Sequence, residues 1–419
     1  MKWKSLTSQF IGIAWKRLTD HEVDPRVSHG HEFQGVASLR ALLGSDSRMD
    51  VPATFVVLDD DAERSITVPA TVSWYDSRAK DTTRSAEWRL YYSKGAGAIQ
   101  SRMTAGDLMV IGVRPKGEIA VLLARAGSST ELQLRTLFDL GPVSTSAVEV
   151  RRFLEGESLD FVAASLLERL GLGRPDLEQT AEASQAARVA ERLIDMYSDR
   201  LPSGNDVSSL VAEHVVDVDP IADPDHALIR WIETEAAAFR QWEDCLIERR
   251  LQLGFRTSGD AIDVGAFRSF AMTLRQSRVS RAGGALQNHV ARILLAHRIE
   301  FEPQAKTEKG ETPDFLFPGA KAYADTSYPT ASLRHLAAKF TVKERWRQVL
   351  NEAARIPQKH LLTVDAAVTE PTLDAMLASG VSLCVPELIA RRYPSSLGSR
   401  LVSVRELLEG PLSVHRQER

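Results

Sequence analysis

The sequence predicts a multidomain β plus α/β protein, with a β-rich N-terminal half followed by a mixed sheet flanked by helices. Three observations predict it. Short β-branched and aromatic runs separated by polar turns fill the first ~150 residues. A polar, alanine-rich stretch bounded by Gly/Pro breaks follows. Beyond it, aromatics at helical spacing give way to alternating helices and short apolar strands. With 419 residues the chain also exceeds what one ordinary core holds.

Taken in order, Thr54–Leu58, Ile66–Tyr75, Glu87–Tyr92, Asp107–Val113 and Glu118–Arg125 read as strands. Arg114-Pro115-Lys116-Gly117 supplies a hairpin turn between the last two. Many short strands with few helices imply a small barrel or sandwich. Ser158–Leu170 reads as a helix stopped by Gly171-Leu172-Gly173-Arg174-Pro175, and Arg200-Leu201-Pro202-Ser203-Gly204 is a second break. The expected organisation is therefore an N-terminal domain over 1–172, a partly helical linker over 173–199, and a C-terminal domain over 200–419.

Asp217–His226 lacks the glycine and distal glutamate of a calcium loop, so its Asp-Pro pairs read as helix caps. Trp231, Glu235, Phe239 and Trp242 share a helical face and are expected in the core. Arg268–Arg281 and Ala285–Arg298 read as two further helices. Strands are then expected at Asp314–Phe317 and Leu336–Phe340, a helix at Val342–Arg355, and strands at His360–Val364 and Val381–Pro386.

Composition narrows the function classes. No apolar run approaches the ~20 residues of a membrane span, and the start has no secretory leader pattern. Two cysteines, Cys245 and Cys384, support neither a disulfide framework nor a cysteine zinc site, which suits a reducing cytoplasm. The net charge of −4 conceals basic runs. Arg334, Lys339, Lys343, Arg345, Arg347, Arg355 and Lys359 face only Glu344 and Glu352, and Arg268–Arg298 contains no acid. An acidic chain with a basic cleft suits an enzyme that finds DNA and releases it.

The chemistry concentrates between Pro313 and Glu352. Asp314 follows Pro313 at a strand entrance, Lys339 interrupts an apolar strand where an unpaired ammonium would be costly, and Glu352 flanks the stripe Trp346, Val349, Leu350, Ala353. Two carboxylates beside one ammonium can hold Mg2+ against a phosphodiester and activate water. Lys343, Glu344 and Arg345 cluster at a helix start, where such side chains read guanine and cytosine edges. Thr341 and Glu344 also form a capping box, so a structural role for Glu344 stays open. In the N-terminal half, Arg78, Lys80, Arg84 and Arg89 sit on a loop-strand junction able to contact DNA, against the alternative of a solvated hairpin. His29 and His31 alone do not make a metal site.

Residues 281–393 resemble the catalytic domain of EcoRII-type restriction endonucleases, a branch of the PD-(D/E)XK nuclease superfamily. The resemblance runs through Arg281-Ala282-Gly283, Pro313-Asp314-Phe315-Leu316-Phe317-Pro318, Ala322-Tyr323, Leu333-Arg334 and Lys339. It continues through Lys343-Glu344-Arg345-Trp346-Arg347-Gln348, Asn351-Glu352-Ala353, His360-Leu361 and Val385-Pro386. It implies a restriction-endonuclease-like mixed sheet flanked by helices, with Asp314 and Glu352 on Mg2+, Lys339 catalytic, and Lys343, Glu344 and Arg345 reading a CC/GG-flanked site. Where the family carries a helix glutamate this chain has Gln287, a candidate catalytic position without charge. The N-terminal half resembles the family's B3-like β-pseudobarrel effector domain at Lys16-Arg17-Leu18, the histidine-glycine loop with His31, and Ser77-Arg78 to Thr83-Arg84. That implies binding of a second copy of double-stranded DNA, a homodimer, and a cognate DNA methyltransferase acting on the same site. The rivals are a non-cleaving DNA-binding regulator with the nuclease fold, and a structure-specific repair nuclease.

Overall fold

The computed structural model describes residues 6–24, 26–27, 31–33, 36–61, 64–80, 83–96, 102–141, 143–145, 148–154, 161–170, 172, 180–198, 200–257, 260–342 and 345–417. The chain divides into two compact units, Lys2–Asp176 and Leu177–Arg419.

The N-terminal unit is built on an eight-stranded sheet. Its strands are β1 (Gly12–Arg17), β2 (Glu32–Phe33), β3 (Arg48–Leu58), β4 (Ile66–Asp76), β5 (Trp88–Tyr92), β6 (Leu108–Val113), β7 (Ile119–Ala124) and β8 (Glu149–Arg152). They run in the order β2-β5-β4-β3-β7-β6-β1-β8. β3 and β7 are parallel, whereas the other neighbours are antiparallel. Phe33, Phe55, Trp74, Tyr92, Ile111, Val121 and Ala14 alternate inward from successive strands into one cluster, so the sheet wraps a single core. The expected turn closes β6 to β7, with Gly117 at φ +85° donating its N–H to the Arg114 carbonyl. β6 and β7 are buried on both faces, and Gly112 is required because a Cβ there would meet the Phe10 ring at 2.5 Å.

The C-terminal unit pairs a helical layer with a five-stranded sheet. Its strands are β9 (Glu302–Pro303), β10 (Phe315–Phe317), β11 (Arg334–Ala338), β12 (Lys359–Leu362) and β13 (Val381–Cys384), in the order β13-β12-β11-β10-β9. β9-β10-β11 are antiparallel, and β11-β12-β13 are parallel. Residues 181–197, within the expected linker, form the helix Ala181–Tyr197 of this unit. The helix Pro224–Leu253 starts on an Asp223 cap with Pro224 in its first turn, and buries Trp231, Glu235, Phe239 and Trp242 together. Buried Glu235 accepts from Ser208 Oγ at 2.8 Å and meets His289 Nε2 at 2.9 Å, tying three helices. Asp225 accepts from the backbone N–H groups of Glu387, Val404 and Arg405, so that burial which raises its carboxyl pKa is met by three donors.

Three expectations need correction. Arg268–Arg281 and Ala285–Arg298 are one continuous helix, Val264–Ala296. Gly283-Gly284 does not break it, because Arg281 over Phe239 and His289 against Glu235 clamp it on both sides. Among the described residues of the helix expected over Val342–Arg355, Trp346–Val349 are α-helical. Ala353 takes φ +47°, and the Arg355 guanidinium is drawn away to the carbonyls of Tyr323, Asp325 and Tyr328. Lys339 does not interrupt a strand but follows the end of β11.

Candidate active site

Asp314 precedes β10 and is 4% exposed. Because Phe315 pairs with Leu336, the antiparallel register sets Asp314 beside the C-terminal end of β11. Ala338 N–H and Lys339 Nζ both donate to Asp314 Oδ2 at 2.8 Å. Its other oxygen, Oδ1, accepts from Gln287 Nε2 at 2.7 Å and from Gln304 Nε2 at 3.1 Å. Gln287 comes from the helix Val264–Ala296, which packs against β11. The Lys339 backbone N–H is held by the Leu362 carbonyl at 2.9 Å, at the end of β12. The ammonium is therefore positioned by two strands, with its side chain one-fifth exposed.

Glu352 is placed differently. Its Oε2 meets His335 Nε2 at 2.8 Å, with His335 fully buried and Glu352 nearly so. Leu316 lies opposite His335 in the register, so His335 shares a sheet face with Asp314, two residues before Leu316. Ala353 and Ile356 share a buried cluster with Leu316. Glu352 thus covers the same face as Asp314 and Lys339 but is bonded to His335 rather than to them. Nearby Lys359 donates to the Ile356 carbonyl at 2.9 Å; burial lowers its ammonium pKa and Glu352 opposes the shift. Burial also pushes the His360 imidazole down to about 4.

Of the expected base-reading triplet, Arg345 is exposed just before the helix Trp346–Val349. Lys343 and Glu344 lie outside the described residues. In the N-terminal unit, Arg78 pairs with Glu87 at 2.8 Å, and Arg89 with Glu32 at 3.0 Å and Glu87 at 3.2 Å. Lys80 and Arg84 are exposed. His31 packs edge-on against Tyr91 and Tyr92, and His29 is outside the described residues. The candidate DNA-facing arginines at 78 and 89 are thus already shared with acids.

Two site residues escaped the sequence reading, Gln304 and His335. His335 sits four positions before Lys339, so strand alternation puts both on one face, a signal the sequence does carry. Gln304 offers none, since its place depends on β9 folding back on β10.

The donor set here is hard: a carboxylate and two carboxamides, with a second carboxylate on the same face. It fits Mg2+, which takes one or two carboxylates and completes its shell with water and phosphate oxygens. Among the described residues no three His, Cys, Asp or Glu side chains form a metal cluster.

The C-terminal unit is a mixed sheet flanked by helices, with the Asp314–Lys339 pair at neighbouring ends of β10 and β11. Residues 239–408 match the family model described as "EcoRII C terminal". The chain is 36% identical over 206 residues to the type II restriction enzyme EcoRII of Escherichia coli, the match covering 49% of each. It is 24% identical over 157 residues to the type II restriction enzyme SsoII of Shigella sonnei, covering 35% of this chain and 50% of that one. The chain spans about half the length of the curated relatives it matches. Among solved structures, it is similar to metal-depleted Ecl18kI in complex with uncleaved, modified DNA, at 17% identity and a TM-score of 0.44 over 57% of this chain and 85% of that one. It is also similar to the restriction endonuclease PspGI–substrate DNA complex, at 15% identity and a TM-score of 0.42 over 51% and 93%. Residues 239–408 are thus similar to the C-terminal domain of EcoRII-type enzymes.

Proposed function

We propose that this protein is a Mg2+-dependent type II restriction endonuclease that hydrolyses double-stranded DNA at a CC/GG-flanked site. The observation that carries the reading is the Asp314–Lys339 pair at 2.8 Å within the segment that matches the EcoRII C-terminal family. Asp314, Gln287 and Glu352 are the residues that would hold the cation. When bound, Mg2+ supplies Lewis-acid activation of water and charge neutralisation on the scissile phosphate. Lys339 donates to the attacking water or a phosphate oxygen and offsets charge as the phosphorane develops. Gln287 orients the Asp314 carboxylate through Oδ1. Glu352 exchanges His335 for its role beside Asp314. Water attacks in line and the 3′-oxygen leaves, giving a 5′-phosphate and a 3′-hydroxyl.

Lys343, Glu344 and Arg345 read the site, and a homodimer brings one such centre to each strand. The N-terminal unit, a B3-like pseudobarrel in this reading, binds a second DNA copy through Arg78, Lys80, Arg84, Arg89 and His31. Binding there requires Arg78 and Arg89 to exchange Glu87 and Glu32 for phosphate. A methyltransferase acting on the same site would protect the host DNA, with both enzymes in the cytoplasm. Among the described residues no helix is long and apolar enough to cross a membrane.

Plasmid cleavage with and without Mg2+, followed by sequencing of the ends, tests this reading. Cutting at one repeated CC/GG-flanked sequence supports it, and intact plasmid at every Mg2+ concentration overturns it. One observation favours a non-cleaving DNA-binding regulator instead: Gln287 brings an amide where the family carries a charge. Sequence-specific binding without cutting would select that alternative. Cutting by DNA shape, indifferent to Glu344→Ala, would select a repair nuclease.

A further inference from the structure

Gln304 stands between β9 and β10 at φ +51°, in the left-handed region that strains any residue other than glycine. Its backbone N–H donates to the Asp314 carbonyl at 3.2 Å while its carboxamide reaches Asp314 Oδ1. The side chain is otherwise exposed. An ionised carboxylate has about four lone-pair sites. On Asp314 those sites are taken by Ala338 N–H, Lys339, Gln287 and Gln304. Of these donors only the two glutamines can reverse polarity, because a half-turn about the last side-chain bond exchanges nitrogen for oxygen.

We propose that Gln304 is a metal-positioning residue. With Gln287 it caps Asp314 Oδ1 by N–H donation when no cation is bound, and turns its carboxamide oxygen toward a divalent cation held on that carboxylate. The inference rests on the nuclease reading of this site. Charge explains the choice of amides. Among the described residues Lys339 is the cation paired with Asp314, so carboxylates at 287 and 304 would add two anions beside a buried group. Neutral amides keep the empty cradle balanced, and substrate phosphate then completes the cation's shell.

The test is calorimetric titration of Mn2+ alone into the full chain and into Gln304→Gly and Gln304→Glu. Glycine relieves the positive φ, so a loss of affinity cannot be assigned to backbone strain. The expected result is Mn2+ binding weakened about tenfold in Gln304→Gly. Gln304→Glu should bind Mn2+ at least as tightly as the parent, melt lower without cation, and recover with Mn2+. Gln304→Gly binding Mn2+ within about twofold of the parent would overturn the inference, as would Gln304→Glu binding no better than Gln304→Gly, or no Mn2+ binding by the parent. Plasmid cleavage by the parent in Mg2+ separates the two claims. Cutting together with an indifferent Gln304→Gly sinks only this inference, whereas Gln304-dependent Mn2+ binding without cutting sinks only the nuclease reading.

Discussion

Lys339→Met removes the ammonium and keeps an unbranched stem of similar length. At 2.8 Å from Asp314 Oδ2, the gross attraction at an effective dielectric of ~20 is about 6 kcal/mol, much of it offset by desolvation. Stripping one partner from a fully buried pair costs about 3–5 kcal/mol. Here the stranded carboxylate keeps the Ala338, Gln287 and Gln304 N–H groups, and Lys339 already touches solvent. The expected loss is therefore smaller, about 2 kcal/mol. For a unit the size of Leu177–Arg419 that lowers its Tm by about 4–8 °C, read by scanning calorimetry. Plasmid cutting should fall by about a hundredfold to a thousandfold, with DNA binding retained in a gel-shift assay. Parental cutting by Lys339→Met would remove this ammonium from the chemistry. An unchanged Tm would show that the pair contributes nothing to the fold.

Gln287→Glu sets a second carboxylate against Asp314 Oδ1, so half-maximal cutting should need roughly tenfold less Mg2+, while the cation-free chain melts lower; a Mg2+ titration of cutting checks it. His360, held neutral with its pKa depressed to about 4, leaves the unfolded chain to take up the proton first as pH falls below 6.5. Its contribution is intact above pH 6.5 and is lost as pH falls to about 4, by about 3 kcal/mol in all. Urea unfolding of His360→Asn across that window should show the flatter slope. Asp225→Ala strands the Glu387, Val404 and Arg405 N–H groups and should destabilise the C-terminal unit by about 3 kcal/mol in the same assay.

The pairing of Asp314 with Lys339 was legible from Lys339, an ammonium next to an apolar run for which Asp314 offered a carboxylate. Their shared face follows from strand alternation, as does that of His335. The β-rich first unit and the buried aromatics from Trp231 to Trp242 were readable from periodicity. What the sequence hid was settled by distant contacts. Nothing local announces that β3 lies parallel to β7, or that Arg355 leaves its own segment for the carbonyls of Tyr323, Asp325 and Tyr328. Gln304 was hidden for the same reason, as was the continuity of Val264–Ala296 through two glycines. The roles of Lys343 and Glu344 remain with the proposal.

Asp314 is carried by β10, Lys339 leaves the end of β11, and its amide is pinned to β12. Sliding β11 by a single residue would swing the ammonium to the opposite side of the sheet. Arming the proposed blade and finishing the fold are then the same event. A complete but unfolded chain carries every one of the proposed catalytic residues and yet has no edge, so in the proposed nuclease cutting would wait on folding.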